Sequence, residues 1–176
     1  LLGKNTGAMQ QIAESWEFST HPDGQSVIAS GKFAGKTLAE YFSAIGWKKA
    51  GTYSEEHKCL PFMAKFIDAK ENLSIQVHPT EAYARRHEND NGKNEMWYIV
   101  DAEADAFIYV GFNCNTSRKE VARRVKDGSI VEILNKIPVH KGDSFFIPAG
   151  TVHAIGAGCL ICEIQQTSNV TYRLYD

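Results

Sequence analysis

Positive charge is not in excess in this chain. Lys and Arg number 19 against 21 Asp and Glu, a formal net charge of −2. There is thus no global basic field with which to hold a nucleic-acid backbone. Long apolar runs are missing too: no stretch approaches the roughly 18 apolar residues of a membrane-crossing helix. Cysteine is sparse, four in 176 residues. That is well below the density of a disulfide scaffold, and a chain of this length builds a core without one. Reduced thiols and a cytoplasmic location are therefore expected. Cys159 and Cys162 form the one CxxC. They fall in a strand-like segment, where residues i and i+3 point to opposite faces, so they read as buried thiols and not as shared metal ligands. Internal repeats, low-complexity segments and long linkers are absent. The chain opens on Leu1, not Met, so its natural N-terminus is expected upstream.

What is present is alternation. The first residues, to about Val27, read as loop with a polar turn at HPDGQS. Thr37 to Trp47 (TLAEYFSAIGW) has helical spacing and stops near Gly46. From Pro61 the period changes to two, the mark of half-buried strands. PFMAKFIDA, LSIQVH, EMWYIVDA and AFIYVGF follow one another, with a short polar helix at EAYARRHE and a loop at NDNGKN. Ser117 to Glu120 and Ser129 to Glu132 both fit the S-x-x-E capping box of a helix start. Strands resume through DSFFIPAG, HAIGAG and CLICEIQQ to TYRLYD. Short strands between Gly, Pro and Asn turns predict an all-β sandwich or barrel with two small helical inserts, one domain across residues 1–176.

Chemistry concentrates on two of these stretches. In LSIQVHP, Leu73, Ile75 and Val77 alternate with Ser74, Gln76 and His78, so one face packs and the other carries a hydroxyl, an amide and an imidazole. In GDSFFIPAGTVHAIGAG, Gly142 and Asp143 turn the chain into an apolar strand, Pro148 and Gly150 turn it sharply again, and His153 begins the return. The pattern G-x5-P-x-G-x2-H resembles the second motif of the cupin superfamily. In the first cupin motif, Gln76-Val77-His78 stands in the H-x-H place and Glu95 opens a later strand. Residues i and i+2 of a strand share a face, so Gln76 and His78 can hold one ion together, with Glu95 and His153 from neighbouring strands. Two imidazoles and one carboxylate also suit non-haem Fe(II) with open positions. Gln76 takes up one of those positions, which favours zinc.

The combined stretches LSIQVHP, GKNEMWYIVDA, GDSFFIPAGTVHAIGAG and EIQQTSNVTYRLYD, together with ESWEFSTHPDGQS, resemble type I mannose-6-phosphate isomerase (phosphomannose isomerase) in its short bacterial form. The resemblance runs over nearly the whole chain. It implies a cupin jelly-roll barrel and one zinc ion per chain, held by Gln76, His78, Glu95 and His153. It implies a phosphosugar partner, interconverted between mannose 6-phosphate and fructose 6-phosphate through a cis-enediol. Ser74, Lys93 and Arg173 match substrate-binding positions, and Lys93, Glu163 and Arg173 match catalytic ones. It also implies that the chain is a catalytic fragment, lacking the family's C-terminal region and extreme N-terminus. The residue types agree with these roles. Cations and a hydroxyl suit a phosphate; Lys93 is read as sharing strand parity with Glu95, and Arg173 as sharing its strand face with Thr171 and Tyr175. Arg85 and Arg86 are read as solvated, and His21, His57, His87 and His140 receive no role. Two other readings keep the same pocket: a non-catalytic sugar-phosphate sensor, and an Fe(II) oxygenase on His78, Glu95 and His153.

Overall fold

Two sheets take up the alternating segments and bury their apolar sides against each other. The computed structural model of the chain describes Gly3 and residues 12–176. In chain order the elements are β1 (Glu14–Phe18), β2 (Thr20–His21), β3 (Gly24–Gln25), α1 (Leu38–Ile45), α2 (Thr52–His57), β4 (Phe62–Ala69), β5 (Ile75–Val77) and α3 (Glu81–His87). There follow β6 (Glu95–Ala102), β7 (Phe107–Phe112), α4 (Arg118–Asp127), β8 (Leu134–Pro138), β9 (Ser144–Ile147), β10 (His153–Ile155), β11 (Cys159–Gln166) and β12 (Tyr172–Tyr175). Short 3-10 turns lie at Trp47–Ala50 and Ile130–Ile133. One sheet has the order β1-β4-β11-β6-β9 and the other β12-β5-β10-β7-β8, with β2-β3 a separate ribbon. All the pairings among these strands are antiparallel. This is the jelly-roll arrangement of an all-β cupin fold.

The core between the sheets is laid down by parity. On β4 the inward positions are Met63, Lys65, Ile67 and Ala69; on β11 they are Cys159, Ile161, Glu163 and Gln165; on β6, Glu95, Trp97 and Ile99. Read along each strand, the buried face passes from aliphatic to polar. Ile67, Ile99, Ile108, Ile147, Ile155 and Ile161 pack together at one end, and charged side chains collect at the other. Each buried branched side chain contributes roughly 1.5–3 kcal/mol, so the apolar end supports the fold while the polar end is left for chemistry. The outer face of the second sheet is covered as well. Val121 and Val125 of α4, with Ile130 and Ile133, pack on Ile75, Leu134 and Ala154.

Several expectations need correcting. The segment before Val27 is not loop throughout. From Glu14 it supplies β1, an edge strand, and the β2-β3 ribbon, and the part before Ile12 lies outside the described residues apart from Gly3. LNKIP was not anticipated as a strand, because it pairs with β7 and buries only Leu134 of its five residues. The helices expected near Thr37, at EAYARRHE and after Ser117 are present as α1, α3 and α4, whereas α2 (Thr52–His57) was not anticipated and the segment after Ser129 forms only a 3-10 turn. Thr37 caps α1 with a complete capping box to Glu40. Ser117 caps α4, but the Glu120 carboxylate turns to Arg123 and Arg124. Ser129 makes no cap; its hydroxyl bonds Asp127. The Cys pair divides as its parity requires, Cys159 buried and Cys162 only half-buried, both free. No helix among the described residues is long and apolar enough to cross a membrane.

Candidate metal centre

Two cross-strand rows build the site. In the second sheet Arg173 is the direct partner of Gln76, and Gln76 of His153. In the first sheet one row runs Trp16, Lys65, Glu163, Trp97, Phe145, and beside it lie Met63, Gln165, Glu95 and Ile147. Directly opposed residues of an antiparallel pair share a face, so each row presents its side chains to the same space between the sheets.

Loops then fix what the strands begin. β5 is only three residues long and His78 lies just beyond it. The His78 carbonyl accepts the Gly150 N–H at 2.8 Å. Gly150 has φ +87°, a left-handed turn that glycine enters without strain, so the PAG turn is tied to the His78 backbone. Asn94 stitches three segments together. It accepts the Ala149 N–H at 2.8 Å, and both its N–H and its amide donate to Gln166 Oε1, at 3.0 and 2.5 Å. Gly92 allows the chain to pass close over the start of α3, where a Cβ would stand 2.4 Å from the Glu81 nitrogen. That approach sets the entry to Lys93, whose N–H bonds the Pro79 carbonyl at 3.2 Å.

The side chains converge tightly. His78 Nε2 lies 3.1 Å from His153 Nε2 and 3.0 Å from Glu95 Oε1, and His153 Nε2 lies 3.6 Å from Glu95 Oε2. All three residues are buried, at 1% exposure each. His78 Nδ1 is 3.0 Å from the Val170 carbonyl and His153 Nδ1 is 2.9 Å from the Thr151 carbonyl. A carbonyl only accepts, so each Nδ1 carries a proton, and Nε2 is the atom left to serve as a metal ligand. Burial also lowers the His153 pKa to about 4, keeping the ring neutral at pH 7. For Glu95, burial works the other way, but His78, Lys93 and His153 together hold its carboxyl well below the usual range. Glu95 Oε1 nonetheless accepts no well-aligned hydrogen bond.

Ring nitrogens that act as metal ligands must present lone pairs, and such lone pairs facing one another and a carboxylate would repel unless a cation sat among them. A tetrahedral ion with bonds near 2.0–2.1 Å separates its ligand atoms by roughly 3.3 Å, close to the spacings here. His78, Glu95 and His153 thus form a group able to hold a metal ion, their ligand atoms all within 4.8 Å of one another. The Gln76 amide stands beside them, its nitrogen 3.4 Å from His153 Nε2. An amide ligates through oxygen, so Gln76 joins the set only after its amide turns over.

The remaining predicted residues divide by position. Lys93 is buried with its ammonium 2.9 Å from Glu95 Oε1, although it precedes β6 and owes its place to the loop and not to strand parity. Glu163 is buried and accepts the Trp97 indole N–H at 2.9 Å. Arg173 is exposed, with no side-chain partner among the described residues. Ser74 is half-buried, just outside β5, and also without one. A bulge between Arg173 and Tyr175 puts Tyr175 opposite Ile75, on the helix-covered side, so those two do not share a face as expected.

Sequence reasoning passed over two buried groups. Trp97 donates its single N–H to both Glu163 Oε2 and Glu95 Oε2, the latter at 3.1 Å, linking the two carboxylates. Lys65 stands with its ammonium 3.9 Å from Glu163, 3.8 Å from Glu14 and 4.4 Å from the centre of the Trp16 ring. Both signals were available. Trp97 is two residues from Glu95, and Lys65 falls on the inward parity of a strand otherwise apolar on that face.

Burial, and next the Glu95 charge, raise the Glu163 pKa to about 7 from 4.5. The native state therefore keeps a proton that the unfolded chain releases above pH 4.5. Stability from this group is complete below pH 4.5 and is lost as pH rises through 7. In metal-free protein, Glu163→Gln is expected to be more stable than wild type at pH 8, by up to about 3 kcal/mol, and indistinguishable from it near pH 4.5. Denaturant titrations across that range check this; a gap that ignores pH contradicts it.

Fold and site together define a cupin with a buried His-Glu-His group able to hold a metal ion. Residues 4–107 match the family model described as phosphomannose isomerase type I, catalytic domain. The chain belongs to that family. It is 41% identical over 177 residues to a mannose-6-phosphate isomerase of Bacillus subtilis (ManA), covering 95% of this chain and 52% of the relative. The crystal structure of the Bacillus subtilis mannose 6-phosphate isomerase superposes with a TM-score of 0.84 at 38% identity, over 93% of this chain and 51% of that one. A mannose 6-phosphate isomerase solved with zinc and yttrium bound shares the fold at 17% identity, with a TM-score of 0.64 over 93% of this chain and 62% of that one. The chain spans about half the length of the curated relatives it matches.

Proposed function

We propose that the protein is a zinc-dependent aldose–ketose isomerase that interconverts mannose 6-phosphate and fructose 6-phosphate. The observation that carries the reading is the convergence of bare acceptor atoms from His78, Glu95 and His153 in a chain of this family. Gln76 completes a neutral-amide, two-imidazole, one-carboxylate set that suits zinc. Four free thiols agree with a cytoplasmic location.

When bound, the ion supplies Lewis-acid stabilisation of charge on the sugar oxygens. The chain's own residues do the rest. Isomerisation moves a proton between C1 and C2 through a cis-enediol, which needs a group able to take and return a proton near neutrality. Glu163, with its pKa raised to about 7, has that property at Oε1 and Oε2. Trp97 orients its carboxylate and Lys65 faces it from the other side. The Lys93 ammonium and the Arg173 guanidinium supply fixed positive charge toward the phosphate or the developing enediolate. Ser74 offers a hydroxyl without a partner among the described residues. The packed sheets exclude water from Glu95, Glu163 and Trp97.

The test is a coupled assay for fructose 6-phosphate formed from mannose 6-phosphate, on metal-stripped protein and again after adding zinc. Turnover restored by zinc is expected. Phosphosugar binding without turnover in zinc-loaded protein would overturn the reading in favour of a sensor.

A further inference from the structure

The Lys93 ammonium occupies the same atoms that a metal ion must take. Its Nζ lies 3.2 Å from His78 Nε2 and 2.9 Å from Glu95 Oε1. His78 commits its Nδ1 proton to the Val170 carbonyl at 3.0 Å, so its Nε2 has one in-plane lone pair. That lone pair can accept an N–H from Lys93 or bind a metal, but not both. Lys93 is also not free to drift. Gly92 and the Pro79 carbonyl fix its backbone, its side chain is only 6% exposed, and Glu95 is the acid in salt-bridge contact with it.

We propose that Lys93 is the metal's competitor: its ammonium holds the ligand set together in the metal-free protein and is displaced from His78 when the ion binds. The inference rests on the metal-centre reading above. It makes Lys93 a positioning residue for the metal ligands, in addition to any role toward substrate. Two consequences follow from linkage. Lys93 lowers metal affinity, because binding must break its contact with His78 and leave two positive charges sharing Glu95. Metal occupancy in turn releases the ammonium toward the sugar, so this lysine becomes available only in loaded protein.

The experiment measures zinc affinity by competition with a fluorescent chelator, and melting temperature with and without zinc, for wild type, Lys93→Met and Lys93→Gln. Lys93→Met removes the charge and keeps the bulk; Lys93→Gln keeps a neutral N–H donor should the first variant fail to fold without metal. Tighter zinc binding is expected in both, about tenfold or more in the Met variant and less in the Gln variant. Metal-free melting temperature should fall while the zinc-saturated value moves little. A lysine that merely orients Glu95 for the ion predicts the opposite sign, so weaker or unchanged zinc binding in the variants overturns the proposal. His153→Ala separates the two readings. It leaves both Lys93 contacts in place, and wild-type zinc affinity in that variant would overturn the metal centre itself.

Discussion

Glu95→Gln is expected to leave the protein without bound metal and without isomerase turnover. Glu95 is the one carboxylate in the converging group among the described residues, so its loss removes the anionic ligand from that group. It also leaves the buried Lys93 ammonium without its ion pair. Removing one partner of a buried pair costs about 3–5 kcal/mol, so the metal-free variant should melt well below wild type. The fall in metal affinity should exceed the roughly 100-fold that follows loss of a group merely supporting a ligand. Metal content after dialysis, with the coupled assay beside it, decides the matter. Wild-type zinc content in the Gln variant would remove Glu95 from the ligand set.

Arg173→Ala should show the opposite division between structure and activity. Its side chain is exposed and makes no hydrogen bond or ion pair among the described residues, so stability should change by no more than about 0.5 kcal/mol. Zinc content should be unchanged. Yet Arg173 stands in line with Gln76 and His153 across β12, β5 and β10, two strand spacings or about 10 Å from His153, with its guanidinium free and permanently charged. A group that stabilises developing negative charge typically supplies 10²- to 10³-fold in rate, and a loss of that order in kcat is expected. Lys should restore it only in part, since an ammonium lacks the planar fork of donors. Unchanged kcat in Arg173→Ala would exclude the role.

Strand parity made much of the site legible in advance. Gln76 and the residues around it alternate in sequence, and the direct pairing of Gln76 with His153 follows once β5 and β10 lie side by side. The PAG turn before His153 marks its own geometry through Pro and Gly. Lys93 was legible for a different reason than the one that operates: its place comes from a loop pressed against α3 at Gly92. Trp97 was missed because it looks like part of a strand's apolar alternation, and Lys65 because a lone cation on an inward face has no evident partner until the neighbouring strand brings Glu163 to it. β1 was missed because it is an edge strand on which no side chain is fully buried, and such a strand carries little periodic signal.

The sequence by itself determined the class of fold, the side of the long strands β4, β6 and β11 that turns inward, and the donor types available to a metal. These depend on local period and residue chemistry, which neighbouring residues carry. The tertiary structure decided which donors meet. It aimed two histidine lone pairs and one carboxylate at a common point by giving the opposite ring nitrogens to the Val170 and Thr151 carbonyls. It set an ammonium against that same point, and placed Glu163 where burial raises its proton affinity into the neutral range. Proton position and charge balance depend on distances between strands remote in the chain, and those exist only once the two sheets have closed.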